Sequence, residues 1–204
     1  MDEAGTVAVL GTVIDAPVRG EVRVRSQALV RVDIEGVVAA VLEPADSDYS
    51  AQVDLLRRSG RLVELSDSEY LLPGLVDLHI HAPQWPQLGK ALDVSLSEWL
   101  MDYTFPLEAR FADVGFAVAV YQSLVDALLA NGTTTAVYFA TRHLDATQRL
   151  ADVCVEKGQR ALVGRVAMDS PETCPDFYRD ASADLAIAET LELIGHIRRT
   201  DSTG

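Results

Sequence analysis

The segment over residues 72–84, LPGLVDLHIHAPQ, decides the fold of this chain. The Pro73-Gly74 pair interrupts regular structure, and the aliphatic run after it predicts a strand over residues 75–81. Because side chains alternate along a strand, this strand has an apolar and a polar face. The apolar face comprises Val76, Leu78 and Ile80, and the polar face comprises Asp77, His79 and His81. We expect the apolar face to pack under a helix and the polar face to be buried as well.

The polar face of this strand indicates a metal site. A carboxylate and two imidazoles on one buried face cost free energy unless a partner satisfies them. Neutral imidazole is a good ligand for Zn and Fe. His79 and His81 come at the C-terminal end of the strand, where α/β barrels build their active sites. A lone His-x-His pattern also occurs where histidines have only structural contacts, so the spacing alone leaves both interpretations open.

The composition limits the classes of function. The chain has 204 residues with 17 basic and 31 acidic side chains, and its net charge of −14 argues against a nucleic-acid-binding protein. Apolar residues make up 49% of the chain, which is enough for a core. The acidic start and the absence of an apolar run of ~20 residues predict a protein that is neither secreted nor membrane-embedded, and we expect a cytoplasmic location. Cys154 and Cys174 are expected to be reduced thiols.

The first region of the chain, residues 1–72, is rich in β-branched residues and predicts strands with one helix. The predicted elements are a strand over residues 7–14, a hairpin of residues 28–34 and 37–42 around Glu35-Gly36, a helix over residues 48–59 capped by Asp48, and short strands over residues 62–65 and 70–72.

From residue 73 strands alternate with helices, which predicts an α/β region with a parallel sheet. The predicted strands cover residues 75–81, 133–139 and 160–167, and the predicted helices cover residues 95–103, 113–130, 146–156 and 181–198. Ser95 and Glu98 form a capping-box pattern at the first helix. Asn131-Gly132 is expected to end the long second helix.

Four blocks of this second region resemble one enzyme family. They are HIHAPQ at residues 79–84, EWLMDYTFPLE at 98–108, NGTTTAVYFAT at 131–141 and GQRALVGRVAMD at 158–169. In this order and spacing they resemble the amidohydrolase superfamily, and within it the guanine deaminases. The resemblance covers residues 71 to about 180.

The resemblance implies an α/β fold, namely an incomplete TIM-like (β/α)8 barrel of the metal-dependent hydrolases. Its first three strand–helix units would lie in residues 73–204, preceded by the N-terminal part of a small β-sandwich domain in residues 1–72. Because a complete barrel takes ~250 residues, the other units are expected beyond residue 204.

The activity that the resemblance implies is hydrolytic deamination of guanine to xanthine and ammonia, a step of purine catabolism that uses a metal-activated water. The implied cofactor is one divalent ion, zinc or alternatively iron. Guanine is the implied small-molecule partner, and members of the family are commonly homodimers.

The resemblance also implies roles for individual residues. His79 and His81 match the first pair of metal ligands, and Gln84, with the backbone of His81, Ala82 and Pro83, matches the part that contacts the purine. At the position of Pro83 the resembled family usually has Ser, and proline removes one backbone N–H donor. The other ligands and the proton-transferring glutamate are expected beyond residue 204, so we expect no catalytic residue within this chain, weak metal binding and no turnover by the chain alone.

Two side chains are candidates for contacts that orient the ligands. Asp77 shares the face of the histidines, although a structural hydrogen bond is an equal alternative. His143 follows the second strand on the same rim of the sheet, where a loop histidine without a chemical role is the alternative.

The remaining candidates are mostly expected to be structural. Trp85, beside the motif, is a candidate for lining a purine pocket, whereas Trp99, Phe105 and Phe111 are expected in the core. His196 is expected to have a surface or packing role, and Arg142 is expected to be solvated.

Other functions stay open from the sequence alone. One is a sibling amidohydrolase acting on another nucleobase or a triazine. Another is a non-catalytic truncated product, whose three strands with an open edge would associate. The smaller zinc deaminases are disfavoured, because their His-x-Glu and Pro-Cys-x-x-Cys signature is absent from this sequence.

Overall fold

The computed structural model describes residues 7–201 and divides the chain into two compact units, one up to Pro73 and one from Gly74. The outermost parts of the two predicted regions, residues 1–6 and 202–204, lie outside the described residues. Among the described residues no single helix is long and apolar enough to cross a membrane, although Leu96–Ala112 and Val114–Ala130 together meet that test as a pair bent by 114°.

The first unit is a five-stranded mixed sheet with one helix. Its elements are β1 (Val7–Asp15), β2 (Arg23–Val32), β3 (Val38–Leu42), α1 (Tyr49–Arg58), β4 (Leu62–Glu64) and β5 (Tyr70–Leu71). Strand β1 pairs antiparallel with β2 and parallel with β4 and β5, and β2 pairs antiparallel with β3. One core cluster joins the sheet to α1 through Ala8, Leu29, Val53 and Leu56.

The predicted hairpin and helix of this unit are present. The Asp33 carboxylate accepts hydrogen bonds from the backbone N–H groups of Glu35 and Val37 at 3.0 and 2.9 Å, which holds the turn between β2 and β3. The predicted cap at Asp48 is wrong in one respect. Asp48 precedes α1, but its side chain caps no backbone N–H and instead accepts the hydroxyl of Ser47.

The second unit contains a three-stranded parallel sheet with helices. Its regular elements are β6 (Leu75–His81), a 3-10 helix (Ala82–Gln87), α2 (Leu96–Trp99), a π-helical turn (Leu100–Thr104), α3 (Phe105–Ala109), a 3-10 turn (Arg110–Ala112), α4 (Val114–Ala130), β7 (Thr133–Phe139), α5 (Leu144–Lys157), β8 (Arg160–Gly164), a 3-10 turn (Asp176–Tyr178) and α6 (Ala183–Thr200). The strand order is β6-β7-β8, and every pairing is parallel. The predicted α/β region with a parallel sheet is therefore confirmed.

The start of the sheet depends on one glycine. A Cβ atom at Gly74 would lie 1.9 Å from Thr134 Oγ1 on the adjacent chain segment, so only glycine allows this approach. Gly132, which follows α4, has φ +86° and ends that helix as predicted.

Helix α4 forms the core of this unit. The Asp113 carboxylate accepts from the N–H groups of Gly115 and Phe116 at 2.8 and 3.2 Å, which starts the helix. Its buried face comprises Ala117, Val120, Tyr121, Leu124 and Val125. This face packs against β7 and the 82–87 segment, and α5 packs against α4 and β8.

Three element boundaries differ from the predictions by three residues or more, and the first is the start of β2, which lies at Arg23 rather than at residue 28. The helical segment after Ser95 does not stop before Pro106 but continues through the π-helical turn to Ala109. Pro106 lies in the first turn of α3, where its missing N–H costs no hydrogen bond. Strand β8 ends at Gly164 rather than residue 167, because from Arg165 the chain leaves the ladder and the guanidinium of Arg165 pairs with Asp180.

The predicted burial of the apolar face of β6 is wrong for two of its three residues. Val76 and Leu78 are 60% and 68% exposed, and only Ile80 packs against the core. The reason is that α4 covers β7 and the 82–87 segment. The sequence pattern correctly assigned the two faces, but it does not show which face a helix covers.

Candidate active site

The histidines predicted as metal ligands converge at the C-terminal end of β6. Their Nε2 atoms lie 3.1 Å apart. Two imidazoles bound to one zinc ion at about 2.0–2.1 Å with tetrahedral angles place their nitrogens about 3.3 Å apart. The spacing of His79 and His81 therefore fits two neighbouring positions on one divalent ion. Within residues 7–201 no group of three or more His, Cys, Asp or Glu residues could hold a metal, so an ion at this pair would need further ligands.

An aromatic ring holds the two imidazoles in place. Phe139, the last residue of β7, lies 4.7 Å from the ring of His79 and 5.1 Å from that of His81, measured between ring centroids. It is also the register partner of His81 in the parallel ladder. Sequence reasoning missed Phe139 as a site residue, although its place at the end of the second strand was a usable signal.

The polar face of β6 is less buried than predicted. Asp77 and His79 are exposed, and His81 is half-buried. Burial, together with the nearby His79, lowers the pKa of His81 and so favours its neutral form. Neutral imidazole is the form that binds metals. The Asp77 carboxylate accepts the backbone N–H of His79 at 3.0 Å. Of the two interpretations of Asp77, a ligand-orienting contact or a structural hydrogen bond, this contact is of the second kind.

The segment predicted to contact a substrate forms a 3-10 helix directly after the histidines. Ala82 and Pro83 are buried in it, and Gln84 is partly buried. The side-chain amide of Gln84 donates from Nε2 to Oε1 of Glu108 at 3.1 Å. The predicted purine-contacting residues are therefore next to the histidine pair in the chain and are supported by α3.

Glu108 is a buried carboxylate that sequence reasoning did not single out. Only 5% of the residue is exposed, and its Oε2 accepts the hydroxyl of Tyr178 at 2.7 Å. Burial raises the pKa of Glu108, while the hydrogen bonds from Tyr178 and Gln84 act in the opposite direction. Glu108 is the last residue of the EWLMDYTFPLE block. Its hydrogen-bond partners Gln84 and Tyr178 lie 24 and 70 positions away in the chain, so the block alone does not reveal them.

His143 does not join the histidine pair in a metal-binding group among the described residues. It precedes α5, and its ring lies 5.9 Å from that of Tyr178. Burial, followed by the charges of Arg142 and Arg165, lowers the pKa of His143 to about 4. Its Nε2 atom is buried without a hydrogen-bond partner. The predicted ligand-orienting role of His143 is not supported by a contact to either histidine.

A buried ion-pair cluster lies beside Tyr178. The fully buried guanidinium of Arg165 pairs with Asp180 and Glu189. Arg142 approaches Asp180 at 3.8 Å and lies over the ring of Tyr178. The expectation that Arg142 is solvated is therefore wrong in part: its side chain is 27% exposed, but its Nε atom is buried and the guanidinium faces Asp180 and Tyr178.

The other candidates have structural contacts. Phe105 and Phe111 are buried, and the Nε1 of Trp99 donates to the carbonyl of Lys90. Trp85 packs against the core and donates from Nε1 to Ser123 Oγ at 3.2 Å. His196 Nε2 lies 2.6 Å from Asp152 Oδ1 and so links α6 to α5, which confirms the expected packing role. Both cysteines are buried and free.

Residues 70–201 match the model of the Amidohydrolase family. The chain belongs to the amidohydrolase family. It is similar to guanine deaminase of Dictyostelium discoideum, with 34% identity over 92% of this chain and 42% of the relative. It is also similar to guanine deaminase of Homo sapiens, with 47% identity over 66% of this chain and 29% of the relative. The chain thus spans less than half the length of these relatives.

Solved structures agree with this placement. The structure of guanine deaminase from C. acetobutylicum with bound guanine superposes with a TM-score of 0.81 and 31% identity, over 93% of this chain and 42% of the other. A triazine hydrolase and the atrazine chlorohydrolase TrzN from Arthrobacter aurescens, the latter in two structures with zinc, have TM-scores of 0.70 to 0.71 at 17–18% identity and share the fold alone.

Proposed function

We propose that this chain supplies the first part of a metal-dependent guanine deaminase, which converts guanine and water to xanthine and ammonia. The observation that carries this proposal is the convergence of the His79 and His81 nitrogens, 3.1 Å apart, immediately before the Gln84 segment. The similarity to guanine deaminases, at 34% and 47% identity, favours guanine over the triazines. Triazine hydrolases are below 20% identical to this chain.

The fold supports a more detailed proposal. Strands β6, β7 and β8 with their helices would be the first three strand–helix units of a TIM-like barrel. The sheet of the first unit would be the N-terminal part of a small β-sandwich. The support is that β6 to β8 are parallel, adjacent in chain order and separated by helices, as barrel units are.

In this proposal His79 and His81 hold one divalent ion, with zinc preferred and iron as the alternative, together with ligands from outside the described residues. When bound, the ion supplies a water activated for attack near neutral pH. Phe139 keeps the two imidazoles in one orientation by packing against both rings. Homodimer formation stays a prediction of the family resemblance, and a cytoplasmic location stays a prediction from the sequence.

In this proposal Gln84, with the backbone of His81, Ala82 and Pro83, binds and orients the base. The Gln84 amide gives its N–H2 group to Glu108, so its Oε1 is left to accept an N–H of guanine. Pro83 has no N–H, so at this position the backbone offers the base only a carbonyl oxygen. A purine edge with hydrogen-bond donors is therefore the edge that this segment favours.

The proposal is tested with the full-length protein and one matched pair of histidine variants. His79→Ala removes one metal ligand, so we expect the zinc content per protein to fall by at least half and guanine turnover to fall by more than 100-fold. His196→Ala removes a histidine whose contact is with Asp152 in a helix pair, and it should retain both. Metal analysis and the release of ammonia from guanine, adenine and a triazine are the measurements. Turnover of a triazine without turnover of guanine would disprove the proposed substrate.

A further inference from the structure

The carboxylate of Glu108 lies between two side chains that come from distant parts of the chain. Its Oε1 accepts from Gln84 Nε2 at 3.1 Å, and its Oε2 accepts from the hydroxyl of Tyr178 at 2.7 Å. The residue is 5% exposed, and Tyr178 is fully buried. Both contacts are made by donors, so each carboxylate oxygen acts as an acceptor.

The direction of each hydrogen bond in this chain of contacts is fixed by its neighbour. The backbone N–H of Arg142 donates to the hydroxyl oxygen of Tyr178 at 3.4 Å. The hydroxyl hydrogen of Tyr178 is then directed to Glu108 Oε2, which leaves Oε1 for Gln84. If the Gln84 amide turned over, its own oxygen would face a carboxylate oxygen, and two acceptors at this distance repel each other.

We propose that Glu108 is a positioning residue that fixes the orientation of the Gln84 amide and thereby makes Gln84 an acceptor for an N–H of the substrate. This inference rests on the proposed function. Glu108 itself touches no reacting atom in this scheme. The fixed orientation of the Gln84 amide makes the site selective among bases. A base that presents only acceptors to Gln84 would face another acceptor and bind more weakly.

An exchange of the carboxylate and the amide tests this role. In Glu108→Gln the introduced oxygen can still accept the hydroxyl of Tyr178, but the introduced N–H2 group then faces Gln84 and forces its amide to turn over. In the double variant Gln84→Glu/Glu108→Gln the new amide at position 108 donates to the new carboxylate at position 84, which again presents an acceptor to the substrate. The double variant restores the hydrogen-bond pattern with the two groups exchanged.

We expect Glu108→Gln to raise the KM for guanine at least tenfold with a smaller change in kcat, because the lost contact binds the substrate in both ground and transition states. The double variant should recover most of this loss. Thr104→Val is the matched control. It removes a different buried hydrogen bond of the same region, from Gln87 Nε2 to Thr104 Oγ1 at 2.8 Å, and should leave the KM unchanged. Equal KM values for the single and the double variant would overturn the inference.

A second readout does not depend on turnover. In protein labelled with ¹⁵N-glutamine, the side-chain N–H2 signal of Gln84 is identified by its loss in Gln84→Ala. We expect this signal to shift in Glu108→Gln and to stay in place in Thr104→Val. An unshifted signal in Glu108→Gln would overturn the positioning role. If the wild-type protein does not turn over guanine, the proposed function fails, whereas the amide signal still decides the orientation of Gln84.

Discussion

His143 lies in surroundings that disfavour its charged form. Its ring is half-buried against Tyr178, and the guanidinium groups of Arg142 and Arg165 are close enough to repel a proton. Its pKa of about 4 is well below the ordinary value of 6.5. Because the folded state disfavours protonation, His143 stabilises the protein above pH 6.5, and this contribution is lost as the pH falls towards 4.

We predict that His143→Gln removes part of the acid sensitivity of the fold. The full pKa difference corresponds to an upper limit of about 3 kcal/mol, and partial solvent access reduces the expected effect to about 1–2 kcal/mol. The measurement is the free energy of unfolding by urea at several pH values between 4 and 8. Wild type should lose more stability than the variant between pH 6.5 and 4. A difference between the two proteins that does not change with pH would contradict this explanation.

Two helices begin at an aspartate but use it differently. The carboxylate of Asp113 accepts two backbone N–H groups of α4, whereas the side chain of Asp48 makes no cap hydrogen bond at α1. Satisfying the free N–H groups at a helix start stabilises the helix. The Asp113 side chain is therefore expected to contribute more to the free energy of unfolding than the Asp48 side chain.

We predict that Asp113→Ala lowers the free energy of unfolding by about 1–2 kcal/mol, and that Asp48→Ala, the matched control, changes it by less than about 0.5 kcal/mol. Chemical denaturation of the two variants beside wild type is the measurement. Equal losses would show that the two hydrogen bonds at Asp113 do not stabilise the start of α4.

The sequence predicted some elements well because their ends carry local signals. Strands β6 and β7 were predicted with their observed bounds, since Gly74, Gly132 and the Ala82-Pro83 pair mark three of the four ends. Pro106 misled the prediction because a proline in a first turn and a proline that ends a helix look alike in a sequence. The contact between Gln84 and Glu108 was not predictable, because it depends on how the π-helical turn directs α3.

The second unit exposes an apolar surface on its parallel sheet. Strand β6 is an edge strand in the order β6-β7-β8, and three of its aliphatic side chains are more than half exposed, namely Leu75, Val76 and Leu78. Leu162 on β8, the other edge strand, is 63% exposed. Exposed edge strands with apolar side chains favour pairing with other chains.

We predict that the 204-residue chain associates when it is expressed alone, and that Leu78→Lys reduces this association because a charge on an edge strand opposes pairing. Leu92→Lys is the matched control, since Leu92 is 83% exposed but lies outside the sheet. Sedimentation velocity over a range of protein concentrations is the measurement. A wild-type chain that is monomeric throughout and melts cooperatively would contradict the prediction.

The strand order β6-β7-β8 follows the order of the chain, and this has a consequence for synthesis on the ribosome. Each new strand pairs with the strand that was translated just before it, so the sheet can grow as the nascent chain emerges. The His79 and His81 rings can meet Phe139 as soon as β7 has joined β6, before β8 emerges from the ribosome. We therefore expect His79 and His81 to reach their relative position early in translation.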